Sequence, residues 1–265
     1  MFFRLGSLPL GLILAGAIFG PTCLGLFLGS YLRHRSEHLR EPLGVLQSAL
    51  LGLVALVLAF GLALAVGRHE ARRAAVVDDA NAIGTTYLRA QTLAEPIRTR
   101  SLQLLVHYTD ASLRLSHSVP TTSKARLAIA DGQRLQRQLW GLAGQALAEA
   151  PVASAPRLYV ETLNAMIDQQ TVRVAALNNR VPGAVLAVEV IFAAAALGLL
   201  GFYLAILGRG VFPVLLSAGL VCLLLLVTFD LDRPTRGLIR VPATPLTSLR
   251  ASMELPPAAT APSKP

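Results

Sequence analysis

The chain has 265 residues, 54% of them hydrophobic, and a formal net charge of +9. With a mean hydropathy of +0.57, that composition excludes an ordinary water-soluble domain, and two cysteines are too few for a disulfide framework. The basic excess is mostly arginine at the ends of apolar runs. Elsewhere Asp78, Asp79, Glu95, Asp110, Asp131, Glu149, Glu161 and Asp168 balance it, and no basic helix carries interleaved aromatics, which excludes nucleic acid as a partner.

Four apolar runs frame the chain: Leu8 to Leu32, Leu43 to Val66, Ala184 to Leu207 and Val211 to Phe229. Each approaches the roughly 20 residues a helix needs to cross a bilayer, and none alternates as a barrel strand does. In lipid, helices satisfy their own backbone groups. The expected fold is therefore all-α: an integral membrane protein with four transmembrane helices and a cytosolic antiparallel helical bundle inserted between the second and third. The expected divisions are a first hairpin over 1–66, a cytosolic helical domain over 67–183 and a second hairpin over 184–229. A membrane-proximal segment over 230–252 and a disordered, Pro/Ala-rich tail over 253–265 complete the chain.

The first run continues past Ala15-Gly16-Ala17, a loose signal-peptidase pattern lying mid-span, so it reads as a retained helix. Cys23 and Cys222 fall inside spans and read as small packing residues. The loop after the first run holds His34-Arg35-Ser36-Glu37-His38, an H-x-x-E-H match to the inverted zinc-protease signature. It sits in a short turn with only Glu41 nearby, so it reads as a solvated basic turn and no metal is assigned. With no nucleophile elbow, phosphate loop or dinucleotide fingerprint, no catalytic residue and no cofactor are assigned, and the chain does not read as an enzyme.

The second run carries the best organised signal. Its helical pattern is unbroken from Leu43 through Leu88, which predicts one continuous helix of about 45 residues, roughly 65 Å long. On one face fall Ser48, Gly52, Ala55, Ala59, Ala63, Val66, Glu70, Arg73, Val77, Asn81 and Gly84. Small residues let helices approach closely, so a packing seam is one meaning of this stripe. A face lining a central path is the other, with Gly52, Leu56 and Phe60 at i, i+4, i+8 able to set an apolar constriction that gates by dewetting. Where the helix leaves the membrane, Arg68, Glu70, Arg72 and Arg73 form an ionic cluster, in which Glu70 is expected to pair with Arg173 or Arg180 of another helix or subunit. Pro96 opens a further helix, another runs from about 122 to 149, and a last one runs from the Pro151 and Pro156 region to Asn179.

Glu189 falls two turns inside the third span, and an ionisable group at that depth marks a functional-site hypothesis. Pairing with Arg68 or Arg72 and a pore or proton role both remain open. Orientation follows from arginine: Arg4, Arg68, Arg72, Arg73, Arg173, Arg180, Arg233, Arg236 and Arg240 flank the membrane on the side of the termini and middle domain, against Arg33, Arg35, Arg40 and Arg209 on the other. The positive-inside rule puts the termini and middle domain in the cytosol, in a multi-pass protein of the cytoplasmic membrane.

Leu58-Ala59-Phe60 followed by Arg68-His69-Glu70-Ala71-Arg72-Arg73 resembles the L-G-F and R-W-W-E-A-R-K segments of bacterial bestrophins, with Asn81 where those carry an Asn. Asp78 to Gly84, Tyr87-Leu88-Arg89-Ala90 and the run Asp230 to Val241, which includes Asp232, Arg233 and Arg236, resemble the bestrophin-like family of bacterial membrane proteins. The resemblance covers most of residues 43 to 252. It implies a homo-oligomer, a pentamer in bestrophins, that passes inorganic anions through a neck on the second helix, where Gly52, Leu56 and Phe60 stand. His69 replaces one of the two neighbouring aromatics, Gly52 replaces an apolar neck residue, and the acidic calcium-clasp sequence is not recognisable around Asp230 and Asp232. The alternative function is a non-conducting membrane-anchored scaffold or sensor whose bundle docks cytosolic partners.

Overall fold

The computed structural model describes residues 6–33, 40–208, 210–235 and 237–258. The H-x-x-E-H turn, Arg4, Arg209 and Arg236 lie outside the described residues, as do residues 259–265 of the tail. Every regular element among the described residues is a helix: α1 (Ser7–Leu32), α2 (Arg40–Ala90), α3 (Ile97–Ser116), α4 (Ser123–Glu149), α5 (Ser154–Asn178), α6 (Gly183–Ile206), α7 (Val211–Leu231) and α8 (Thr244–Ser252). Four of them contain stretches long and apolar enough to cross a membrane, matching the four apolar runs.

The predicted long helix is present: α2 is continuous over 51 residues, and its one proline, Pro42, lies in the first turn, where no helix hydrogen bond is lost. The chain packs as two units, residues 1–69 with 180–240 and residues 70–179 with 241–265. The first unit is built on α1, α6 and α7, with α1 against α6 its most extensive contact. Gly25 and Gly29, one turn apart on α1, make that crossing tight: a Cβ at either would collide with the α6 backbone at Gly198 and Phe202. This is small-residue packing as membrane helices use it. From α2, Val54, Leu58 and Ala65 join the same buried cluster as Leu186, Ala193, Leu197 and Leu225.

In the second unit α3 and α4 form the principal pair. The Glu95 carboxylate accepts from the Thr99 N–H at 3.2 Å and so caps the start of α3. The Thr122 hydroxyl accepts from the Ala125 N–H at 3.3 Å, capping α4 at the predicted residue. The core is apolar, with Ile83, Leu93, Leu105, Leu139, Tyr159, Leu163 and Met166 buried.

An element absent from the sequence reading completes this unit. Helix α8 packs on α3 and buries Leu246. Arg250 of α8 donates to Asp110 of α3 at 2.8 Å, and Met253 just beyond α8 is buried in the core.

Candidate functional site

The two faces of α2 differ along its whole length. Ser48, Gly52, Ala55, Ala59, Ala63, Val66, Glu70, Arg73, Val77 and Asn81 are all exposed, and only Gly84 at the far end is half-buried. The opposite face, from Gln47 through Val54, Leu58, Gly61, Ala65, Arg72, Val76, Asp79 and Ile83 to Thr86, is buried. Beside the stripe, Leu56 is 53% and Phe60 63% exposed. Nothing in the chain approaches the space a side chain would fill at Gly52. The structure thus brings Gly52, Leu56 and Phe60 together on one open helix face.

The ionic cluster divides between the two faces. Glu70 and Arg73 form an exposed i, i+3 pair at 3.9 Å, worth a few tenths of a kcal/mol. Arg173, one of the expected partners of Glu70, instead pairs with Asp79 inside the second unit. Arg72 is buried, donating through Nε to the Ala176 carbonyl at 3.3 Å and through its terminal nitrogen to that of Asn179 at 2.7 Å. A guanidinium there serves the unpaired carbonyls that end α5. Arg68 donates to the Arg180 carbonyl.

Glu189 is fully buried, and its carboxylate oxygens accept no hydrogen bond among the described residues. The expected pairing with Arg68 or Arg72 is therefore not made. Instead the carboxylate lies against Gly61 of α2, where any Cβ would collide with it. Glycine at 61 is required for this approach.

Asp230, Asp232 and Arg233 are buried. Asp230 accepts from the Ile239 N–H at 2.8 Å and presses on Gly237, folding the segment that follows α7 back on itself. Asp232 accepts from the Val181 N–H at 3.2 Å, tying that segment to the start of α6. These acids stabilise backbone, and no group of three or more His, Cys, Asp or Glu able to hold a metal occurs among the described residues.

The sequence reading missed a buried polar system in the second unit. Arg173 of α5 donates to Asp79 of α2 at 2.5 Å, with both side chains essentially inaccessible. Arg173 also donates to the Ser112 carbonyl at 3.0 Å and to the Ser116 hydroxyl, and the Ser112 hydroxyl donates to Asp79 at 3.2 Å. Next to it, Gln136 of α4 donates to Tyr108 at 3.1 Å and to Gln170 at 2.5 Å. Burial pushes the Tyr108 hydroxyl well above its ordinary range, and the Asp79 charge adds to this. The available signal was periodicity: Asp79 shares the inward face with Val76 and Ile83, seven residues apart.

Solved structures similar in fold include bacterial bestrophin homologues. A crystal structure of a Klebsiella pneumoniae bestrophin homologue carrying a single substitution is similar at TM-score 0.67 and 16% identity, over 89% of this chain and 97% of that one. A second crystal structure of the Klebsiella pneumoniae homologue gives TM-score 0.64 and 16% identity, over 89% and 95%. Another substituted variant gives 0.64 and 19%, over 89% and 97%. No curated protein matches the chain significantly in sequence. A family model described as the Bestrophin-like domain matches residues 16–246, a range that takes in α2 to α7 and most of α1, and the chain is accordingly a multi-pass membrane protein of the Bestrophin-like family.

Proposed function

We propose that several copies of this chain, five by resemblance to bestrophins, assemble around α2 and pass inorganic anions across the cytoplasmic membrane. The observation that carries this reading is the α2 stripe, exposed from Ser48 to Asn81 while the opposite face is buried. A seam within one chain would bury these small residues. The outward side chains of α1 make a useful contrast, because Leu8, Leu12, Leu24 and Phe27 are large and exposed, as lipid contact favours. Small exposed residues instead suit close approach of neighbouring helices around a narrow path. Leu56 and Phe60 supply apolar side chains for a dewetting constriction. Farther along, Arg73 gives the face a basic group, with the arginine excess around it favouring anions. The same excess supports a cytosolic location for the middle domain and termini.

The test is a cysteine at Ala59 in a chain whose Cys23 and Cys222 are alanine. After reconstitution, a negatively charged thiol reagent is expected to modify that cysteine and cut chloride efflux severalfold. Complete modification by mass with unchanged efflux would remove the stripe from the anion path.

A further inference from the structure

The second unit contains a cleft between α3 and α4, about 440 Å³ in volume, with Arg100, His107, Arg137 and Gly141 in its lining. Its volume is in the range of small-molecule sites. Its lining is one-sided in charge, with two guanidiniums, an imidazole, three amides and no carboxylate. Three other arginines at or on this helix pair have acid partners: Arg114 and Arg134 both reach Asp131, at 3.2 and 3.1 Å, and Arg98 reaches Glu95 at 3.4 Å. The Arg100, Arg137 and His107 side chains have no hydrogen-bond or ion-pair partner among the described residues.

The register of the two antiparallel helices sets how these groups are spaced. Arg114 against Asp131 and Tyr108 against Gln136 fix the pairing. Continued along the helices, that register brings His107 opposite Arg137 and Arg100 opposite Gln145. Arg100 and His107 are seven residues apart on α3, an axial distance of about 10 Å. The cleft thus has a cationic pole at each end, with Gln103, Gln138, Leu104 and Leu142 between. Gly141 opens its floor. Nothing lies within contact distance of a side chain there, although a mid-helix glycine costs about 1 kcal/mol relative to alanine, so no packing constraint in the chain accounts for the glycine.

We infer that this cleft binds a small phosphorylated solute with anionic oxygens at both ends, one end held by Arg137 and His107 and the other by Arg100. Guanidiniums bind phosphate oxygens in a bidentate fork, and the central amides supply donors to bridging oxygens. The site lies on α3 and α4, apart from the α2 stripe, and does not depend on whether the chain conducts.

The probe is inorganic tripolyphosphate, titrated calorimetrically into the purified full chain in detergent at low salt. Binding is expected, with orthophosphate weaker because it reaches only one pole. Arg100→Gln and Arg137→Gln should each weaken tripolyphosphate about tenfold, the loss of one charge-assisted contact. Gly141→Leu, which fills the floor and leaves the charge unchanged, should abolish binding. Lys124→Gln, which removes a charge from α4 outside the cleft, should leave it intact. All of these positions, Gly141 included, are exposed, and native mass of each variant reports that it is folded. Absence of tripolyphosphate binding to the unsubstituted chain, or cleft variants that bind it as tightly as the unsubstituted chain does, would overturn the site. Tighter binding of a linear dicarboxylate of matching length would overturn the assignment to phosphate.

Discussion

Alanine at both Leu56 and Phe60 is expected to raise chloride efflux from reconstituted liposomes at least about tenfold and to abolish any gating. A dewetting neck holds a barrier because its wall is both narrow and apolar. Removing two large side chains per subunit widens it and lets water enter, and a drop of about 1.4 kcal/mol in the barrier already gives a factor of ten. The fold should survive the change. Large-to-small substitution costs about 2–5 kcal/mol where a side chain is buried, but Leu56 and Phe60 are 53% and 63% exposed within the chain. Unchanged efflux in folded double-alanine protein would move the constriction away from these residues.

The second large effect concerns stability. Asp79→Leu leaves the Arg173 guanidinium buried without its carboxylate partner, a loss of about 3–5 kcal/mol. Arg173→Met strands Asp79 instead and should cost a similar amount. The double variant Asp79→Leu with Arg173→Met should recover most of the loss, since an apolar pair of similar volume avoids the desolvation penalty. Unfolding midpoints in detergent for the single and double variants give the coupling directly. Additive losses would show that the pair does not act as a unit, and the second unit would then owe its stability to the apolar core around Leu105, Leu139 and Leu163.

Much of this architecture was legible because its signals are local. Apolar length located α1, α2, α6 and α7, and the unbroken run from Leu43 to Leu88 anticipated the continuity of α2. The helix expected from about 122 to 149 starts at Ser123, and the cap that sets this start, the Thr122 hydroxyl, was found only in the structure. The 3.6-residue period also separated the α2 stripe from its buried face. Pairing was not legible in the same way. Glu70 and Arg173 lie near each other in the expected depth profile, yet they point to opposite sides, and a depth argument carries no azimuth. For Glu189 an arginine partner was one of two open readings, but Gly61 lets its carboxylate settle against α2, an accommodation visible only once the two helices are placed together. Helix α8 has nine residues, too short to show a clear period, and it is held by Leu246, Arg250 and Met253, whose partners are far away in sequence. Arg72 belonged to the buried face by its periodicity, but its charge suggested a solvated mouth. The carbonyls ending α5 resolve that conflict.

Whether an oligomer of this chain conducts anions along α2 is decided by chloride efflux and native mass measured on the same liposome-reconstituted protein. A homo-oligomer that releases chloride well above protein-free liposomes is expected. Intact oligomers with no chloride efflux, in either the unsubstituted protein or the Leu56→Ala, Phe60→Ala variant, would contradict it and leave a membrane-anchored scaffold.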